Sequence, residues 1–179
     1  MKPVLLMAAF ASFAFAASPT ADAATVTKQL QVTAEIEPFC AINVFDLEFG
    51  LYTTANINGG VDLDSIGSIY VICPDAVAFT IALDGGLNSQ MNEFACDPGA
   101  PVPPRGMVST TPPNSGNLGY ELYSDEARTI GWGCSPETDV AGIGNGVSFD
   151  LFPVYGRIPA GAVTLADTYS DTVTVTVTF

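Results

Sequence analysis

The sequence predicts an all-β antiparallel sandwich, and three observations carry that expectation. Apolar and polar residues alternate with period 2 in several separate stretches, the signature of half-buried strands. No window shows a sustained helical period. The 179 residues include 17 Gly and 13 Pro, which supply the turns that many short strands need.

The strands can be read in order. Val77, Phe79, Ile81 and Leu83 are large and apolar, whereas Ala78, Thr80, Ala82 and Asp84 between and after them are small or polar. Leu118, Tyr120 and Leu122 alternate with Gly119, Glu121 and Tyr123, and Val147, Phe149 and Leu151 alternate with Ser148 and Asp150. The C-terminus is the clearest case. Val173, Val175, Val177 and Phe179 share one face, and Thr172, Thr174, Thr176 and Thr178 the other. Less regular strands are expected at about 41–52 and 66–73. Residues 85–117 hold six of the 13 prolines and are expected to be one long irregular loop pinned through Cys96. About six core strands result.

Composition removes several function classes. The formal net charge is −14, and a surface this acidic repels phosphate backbones, so no nucleic-acid partner is expected. The chain has no histidine. Ser-His-Asp and Cys-His catalysis and imidazole-ligated metal sites are therefore impossible. At 48% hydrophobic and 13% charged residues, the chain can still bury a core.

The first 23 residues read as an address. Lys2 precedes an uncharged apolar run of 14 residues, Val4 to Ala17, too short for a bilayer and right for a signal peptide. Ala21-Asp22-Ala23 offers the cleavage site, leaving 156 residues. Export agrees with the cysteines. The four, Cys40, Cys73, Cys96 and Cys134, form no C-x-x-C pair and read as two disulfides, although four cysteines allow three connectivities.

Residues 24–36 form a separate alternating segment. Val26, Leu30, Val32, Ala34 and Ile36 face one way, with Lys28 the exception on that face. The lysine stem can pack while its amine reaches water. The following Glu37-Pro38-Phe39-Cys40 has no Gly or Asn for a tight reversal. A strand without a local partner suggests donation to another molecule. Pattern alone also fits an ordinary first strand of the chain's own sheet.

Other chemistry is weaker. Glu121 and Asp150 fall on expected solvent faces, where a hydrated carboxylate is the plain reading rather than an acid–base pair. Asp62-Leu63-Asp64 lacks the spaced oxygens of a calcium loop. Trp132 and Tyr155 could form a sugar platform, but a lone Trp in an all-β domain is more often core. No catalytic, cofactor-binding or metal-binding residue is expected, and no enzyme activity.

Read in order, the motifs resemble the spore coat U domain family, which includes the pilins of archaic chaperone–usher pili. They are Cys40-Ala41-Ile42, Leu47-Glu48-Phe49-Gly50-Leu51-Tyr52, Val71-Ile72-Cys73-Pro74, Leu83-Asp84-Gly85-Gly86, Arg105-Gly106-Met107, Leu118-Gly119-Tyr120-Glu121, Trp132-Gly133, Val154-Tyr155-Gly156-Arg157 and Tyr169-Ser170-Asp171-Thr172-Val173. The resemblance covers nearly all of the exported chain. It implies an incomplete immunoglobulin-like sandwich, at 37–179, completed by a donated strand. The donor face is Val26, Leu30, Val32 and Ala34, and the acceptor groove lies beside Val173, Val175 and Val177. It also implies pairing of Cys40 with Cys73. The Pro-rich stretch around Cys96 departs from the family and looks like an insertion with its own disulfide to Cys134. Implied partners are copies of the chain or related pilins, a periplasmic chaperone and an outer-membrane usher. The implied role is a surface fimbrial subunit serving adhesion and biofilm. The alternative is a secreted coat-like or stand-alone adhesive protein.

Overall fold

A computed structural model describes residues 24–89, 102–113 and 116–179. The signal segment and Cys96 lie outside the described residues. Residues 36–179 form one compact unit and the described residues 24–35 belong to another.

The larger unit is all-β and antiparallel throughout. Its described strands are β1 (Ala41–Phe45), β2 (Leu63–Ile72), β3 (Ala78–Leu83), β4 (Arg105–Ser109), β5 (Asn117–Tyr123), β6 (Val140–Ile143), β7 (Asp150–Ile158), β8 (Tyr169–Ser170) and β9 (Val175–Thr178). One sheet has the order β1-β2-β7-β5-β4-β8 and the other β6-β3-β9. The alternating residues fill the space between the sheets. Ile69 and Val71 of β2, Phe79, Ile81 and Leu83 of β3, and Leu118, Tyr120 and Leu122 of β5 are buried. Trp132 joins them, its indole N–H donating to the Ile81 carbonyl at 2.9 Å.

Several expectations shift. The loop expected at 85–117 contains β4, which pairs with β5. The strand expected to include Val147 and Phe149 starts only at Asp150, because the Asn145 side-chain oxygen accepts the backbone N–H groups of Val147 and Ser148 and holds that stretch as a turn. The strand expected to reach residue 52 stops at Phe45. Beyond it, Leu47 and Phe49 cross the sheet where β7 offers Gly156. A Cβ there would lie 2.7 Å from Leu47 and 2.9 Å from Phe49, so any other residue would push these side-chain tips off the sheet. A short helix, α1 (Thr54–Gly59), follows and ends at Gly60 in the left-handed conformation.

The registers fix which strand ends lie together. Ala41 faces Ile72 and Val71 faces Asp150, so the start of β1, the end of β2 and the start of β7 share one end. Only residues 73–77 separate β2 from β3, so β3 starts there too. β9 runs toward that end, with Val175 opposite Leu83 and Thr178 opposite Thr80. The Cys40–Cys73 disulfide sits at this end and extends the β1–β2 ladder covalently.

At the far end, a buried polar cluster fastens the approach to β9. Arg105 is 4% exposed, and its guanidinium donates to the carbonyls of Asp84 (2.8 Å), Leu83 (2.9 Å) and Trp132 (2.9 Å). Burial pulls its pKa down to about 10, partly offset by Tyr120, Asp84 and Asp171. The Tyr120 hydroxyl donates to Asp171 at 2.6 Å, and burial together with that carboxylate raises the phenol's pKa. Asp171 also accepts from the backbone and side chain of Asn88, at 3.0 and 2.9 Å. Asp84 accepts the N–H groups of Gly86 and Thr174, at 2.9 and 2.8 Å. Gly86 has φ +79°, and a Cβ on it would fall 2.0 Å from the Asp171 carboxylate, so no other residue fits.

Three stability outcomes can be measured. Removing the disulfide with Cys40→Ser and Cys73→Ser together frees a loop spanning a sequence separation of 33. Urea unfolding is expected to show a loss of about 3–4 kcal/mol. Arg105→Met strands three buried carbonyls without their donor, and the same measurement is expected to show a loss of about 3 kcal/mol or more. Lys28→Met, in the exposed segment, is expected to stay within about 0.5 kcal/mol.

Candidate functional site

Each sheet has two edge strands among the described residues, β1 and β8 in the larger and β6 and β9 in the smaller. Among the described residues, β1 pairs only with β2 and β9 only with β3. Backbone groups on a free edge can receive another strand.

Side-chain exposure along these edges is uneven. On the core face of β2, Val71 and Ile69 are 0% and 1% exposed. Their register partners on β1, Ile42 and Val44, point to the same face but are 39% and 51% exposed. The same holds at one edge of the smaller sheet. Val175 and Val177 sit opposite the fully buried Leu83 and Ile81, yet are only partly buried. Val173, just before β9, is likewise partly buried against the core. Core-facing apolar side chains that stay wet at two sheet edges mark a sandwich lacking one strand of cover.

The described N-terminal segment has the complementary character. Residues 24–35 carry no strand assignment. Val26, Leu30 and Val32 are between 84 and 89% exposed, and Ala34 is exposed as well. Its main chain and apolar face thus lack the cover that a sheet would give.

The cysteines behave as follows. Cys40 and Cys73 are joined. Cys134 is disulfide-bonded, while Cys96 lies outside the described residues.

The carboxylates considered for chemistry are committed elsewhere. Asp64 meets Arg157 through two hydrogen bonds of 2.7 and 2.8 Å, and Arg128 lies 3.4 Å away. The Arg157 bond holds its carboxyl below the usual range. Asp62 lies 3.3 Å from Arg157 and accepts the Ala160 N–H at 2.9 Å. Glu121 accepts the Tyr123 hydroxyl, and Asp150 accepts the Asn145 amide at 2.8 Å. Among the described residues no group of three or more Asp, Glu or Cys is arranged to hold a metal ion. Trp132 is core, and Arg128 covers the Tyr155 ring at 5.6 Å, so the two do not form a platform.

The sequence marked the apolar face of β9 and did not mark the exposed flank of β1. Ile42 and Val44 carry the signal, a two-position alternation too short to stand out. Nor did the sequence show that Leu83-Asp84-Gly85-Gly86, Arg105, Tyr120, Trp132 and Asp171 meet in one cluster at the foot of that strand.

Comparison with known proteins agrees with this geometry. The family model described as Spore Coat Protein U domain matches residues 26–176. "Protein U" of Myxococcus xanthus is 35% identical over 165 residues, covering 89% of this chain and 88% of that protein. Among solved structures, the chain resembles one in the CsuC–CsuE chaperone–tip adhesion subunit pre-assembly complex from archaic chaperone–usher Csu pili of Acinetobacter baumannii. The TM-score is 0.53 at 24% identity, covering 80% of this chain but only 40% of the solved one, a likeness of fold. The match over residues 26–176, on a chain whose described residues form an all-β sandwich, places it in the Spore Coat Protein U domain family.

Proposed function

We propose that the chain is a structural subunit of a surface fibre that polymerises by strand donation. One observation carries the reading: Ile42 and Val44 on one edge, and Val175 and Val177 on the other, face the core and remain partly exposed. A strand inserted there would complete the sandwich and pair the free main chain of β9. The segment at 24–36 of another copy has the right pattern, with Val26, Leu30, Val32 and Ala34 on its inserting face. Burying Leu30 and Val32 alone would contribute about 3–6 kcal/mol before ordering entropy is counted.

Under this reading, cleavage follows Ala23 and the chain crosses the periplasm. A chaperone covers the groove until an outer-membrane usher exchanges it for the next subunit's segment, and the fibre serves adhesion and biofilm. The chaperone–subunit complex named for the solved neighbour supports a chaperone partner. The work is mechanical and adhesive, with no turnover of substrate. A second disulfide, Cys96–Cys134, closes the Pro-rich insertion. A free-standing coat protein is the competing reading, favoured by the near full-length match to Protein U.

The donor reading is tested by Leu30→Asp and Val32→Asp. Each would bury an unpaired carboxylate at a cost of several kcal/mol. Fibres seen by electron microscopy are expected to vanish in both, while the subunit stays folded because its core is untouched. Normal fibres from both variants would mean that this segment is not the donor. Non-reducing peptide mapping is expected to recover Cys96 linked to Cys134, and free thiols there would contradict the pairing.

A further inference from the structure

The basic side chains of the larger unit gather at one end. Arg105 is held by the carbonyls of Leu83 and Asp84. Arg128 reaches Ser65 and Gly156, and Arg157 pairs with Asp64. All three therefore lie toward the end remote from the disulfide. Most carboxylates there are already engaged: Asp62 and Asp64 by arginines, and Asp84 and Asp171 by the hydrogen bonds around Gly86 and Tyr120. The disulfide end carries exposed Asp75, in the turn after β2, and Asp150, at the start of β7, whose only described partner is the neutral Asn145 amide at 2.8 Å, so neither carboxylate is paired with an arginine. Among the described residues it has no arginine or lysine of the larger unit.

The fourth basic residue described, Lys28, is exposed on the segment 24–35 and interrupts its apolar face. Resting on the strand-donation reading above, we infer that Lys28 sets the polarity and register of insertion. It does so by reaching the acidic disulfide end of the neighbouring copy.

Geometry gives the register. Every ladder in the structure is antiparallel, and antiparallel pairing is the more stable kind. A strand antiparallel to β9 runs toward the far end, so its N-terminal part lies at the disulfide end. Placing Leu30 opposite Val177 then sets Val32 opposite Val175 and Ala34 opposite Val173. Three apolar donor positions meet three partly buried valines. Lys28 falls opposite Phe179, one residue past the end of β9, where its flexible stem can turn the amine toward Asp75 and Asp150. The reversed polarity carries Lys28 toward the three arginines. Shifting the register by two residues toward the far end pushes the amine into the apolar groove. Like charges and an unpaired buried charge both penalise the wrong arrangements.

The test compares full-length exported chains in a fibre-growth assay read by light scattering, at low and at high ionic strength. Lys28→Glu is expected to slow growth about fivefold at low ionic strength, with the difference closing as salt screens it. Adding Asp75→Lys to Lys28→Glu is expected to restore the rate. Wild-type growth by Lys28→Glu at low salt, with Leu30→Asp still blocked, overturns this inference and leaves strand donation standing. Rescue by Asp46→Lys in place of Asp75→Lys overturns it too, because Asp46 follows β1 beside the middle of β2, away from the disulfide end. Normal fibres from Leu30→Asp and Val32→Asp remove the donor reading and this inference together. Unchanged thermal unfolding of the Lys28→Glu monomer identifies the slowed growth as an assembly effect.

Discussion

An unpaired main chain beside an apolar face is the constraint that organises this molecule. Each buried peptide group needs a hydrogen-bond partner, and a strand edge meets that need only from a neighbour or from water. β1 and β9 have a neighbour on one side and water on the other. Water satisfies the peptide groups there, but it also wets Ile42, Val44, Val175 and Val177, which face the same core as the fully buried Ile69, Val71, Ile81 and Leu83. Under the proposed strand donation, an inserted strand would supply the ladder and the cover that β9 lacks. A side-chain substitution could cover the apolar face or leave the edge open, but it could not supply the ladder.

The buried arginine cluster makes sense beside that gap. A strand paired on one side only is prone to fray. The approach to β9 is tied down by polar contacts that do not depend on the missing strand. Asp84 takes the Thr174 N–H, the Asp84 N–H returns to the Thr174 carbonyl at 3.1 Å, and Asp171 is bound by Tyr120 and Asn88. Arg105 then organises the carbonyls behind Asp84. β9 is thus held in place from the far end while its outer side is unpaired among the described residues.

Much of the fold was legible because alternation is a strong signal when one face is buried. β3, β5 and β9 were visible from their apolar rows alone. β4 was not, since Arg105-Gly106 places a charge and a glycine where apolar residues would mark the row. The buried position of Arg105 is intelligible only once the Leu83, Asp84 and Trp132 carbonyls converge. α1 has six residues, too few to show a helical period. At the candidate site, the apolar faces of 24–36 and of β9 could be read directly. The wet flank of β1 could not, because exposure of Ile42 and Val44 is a property of packing rather than of residue type. The motifs around Asp84, Arg105, Tyr120 and Asp171 were recognisable as strings, but their common purpose is three-dimensional.

The position of the Cys40–Cys73 bond has a consequence for load. In a chain pulled by its N-terminal segment, tension arrives through Glu37-Pro38-Phe39 at Cys40. The covalent bond there passes that tension straight to Cys73, between β2 and β3. β1 is bypassed, so its ladder to β2 is not peeled open one hydrogen bond at a time. Force enters instead at the junction of the two central strands, each paired on both sides, β2 by β1 and β7 and β3 by β6 and β9. Those ladders must shear together, and simultaneous rupture resists far more than sequential unzipping. The bond works as a strain relief, of the kind fitted where a cable enters its housing.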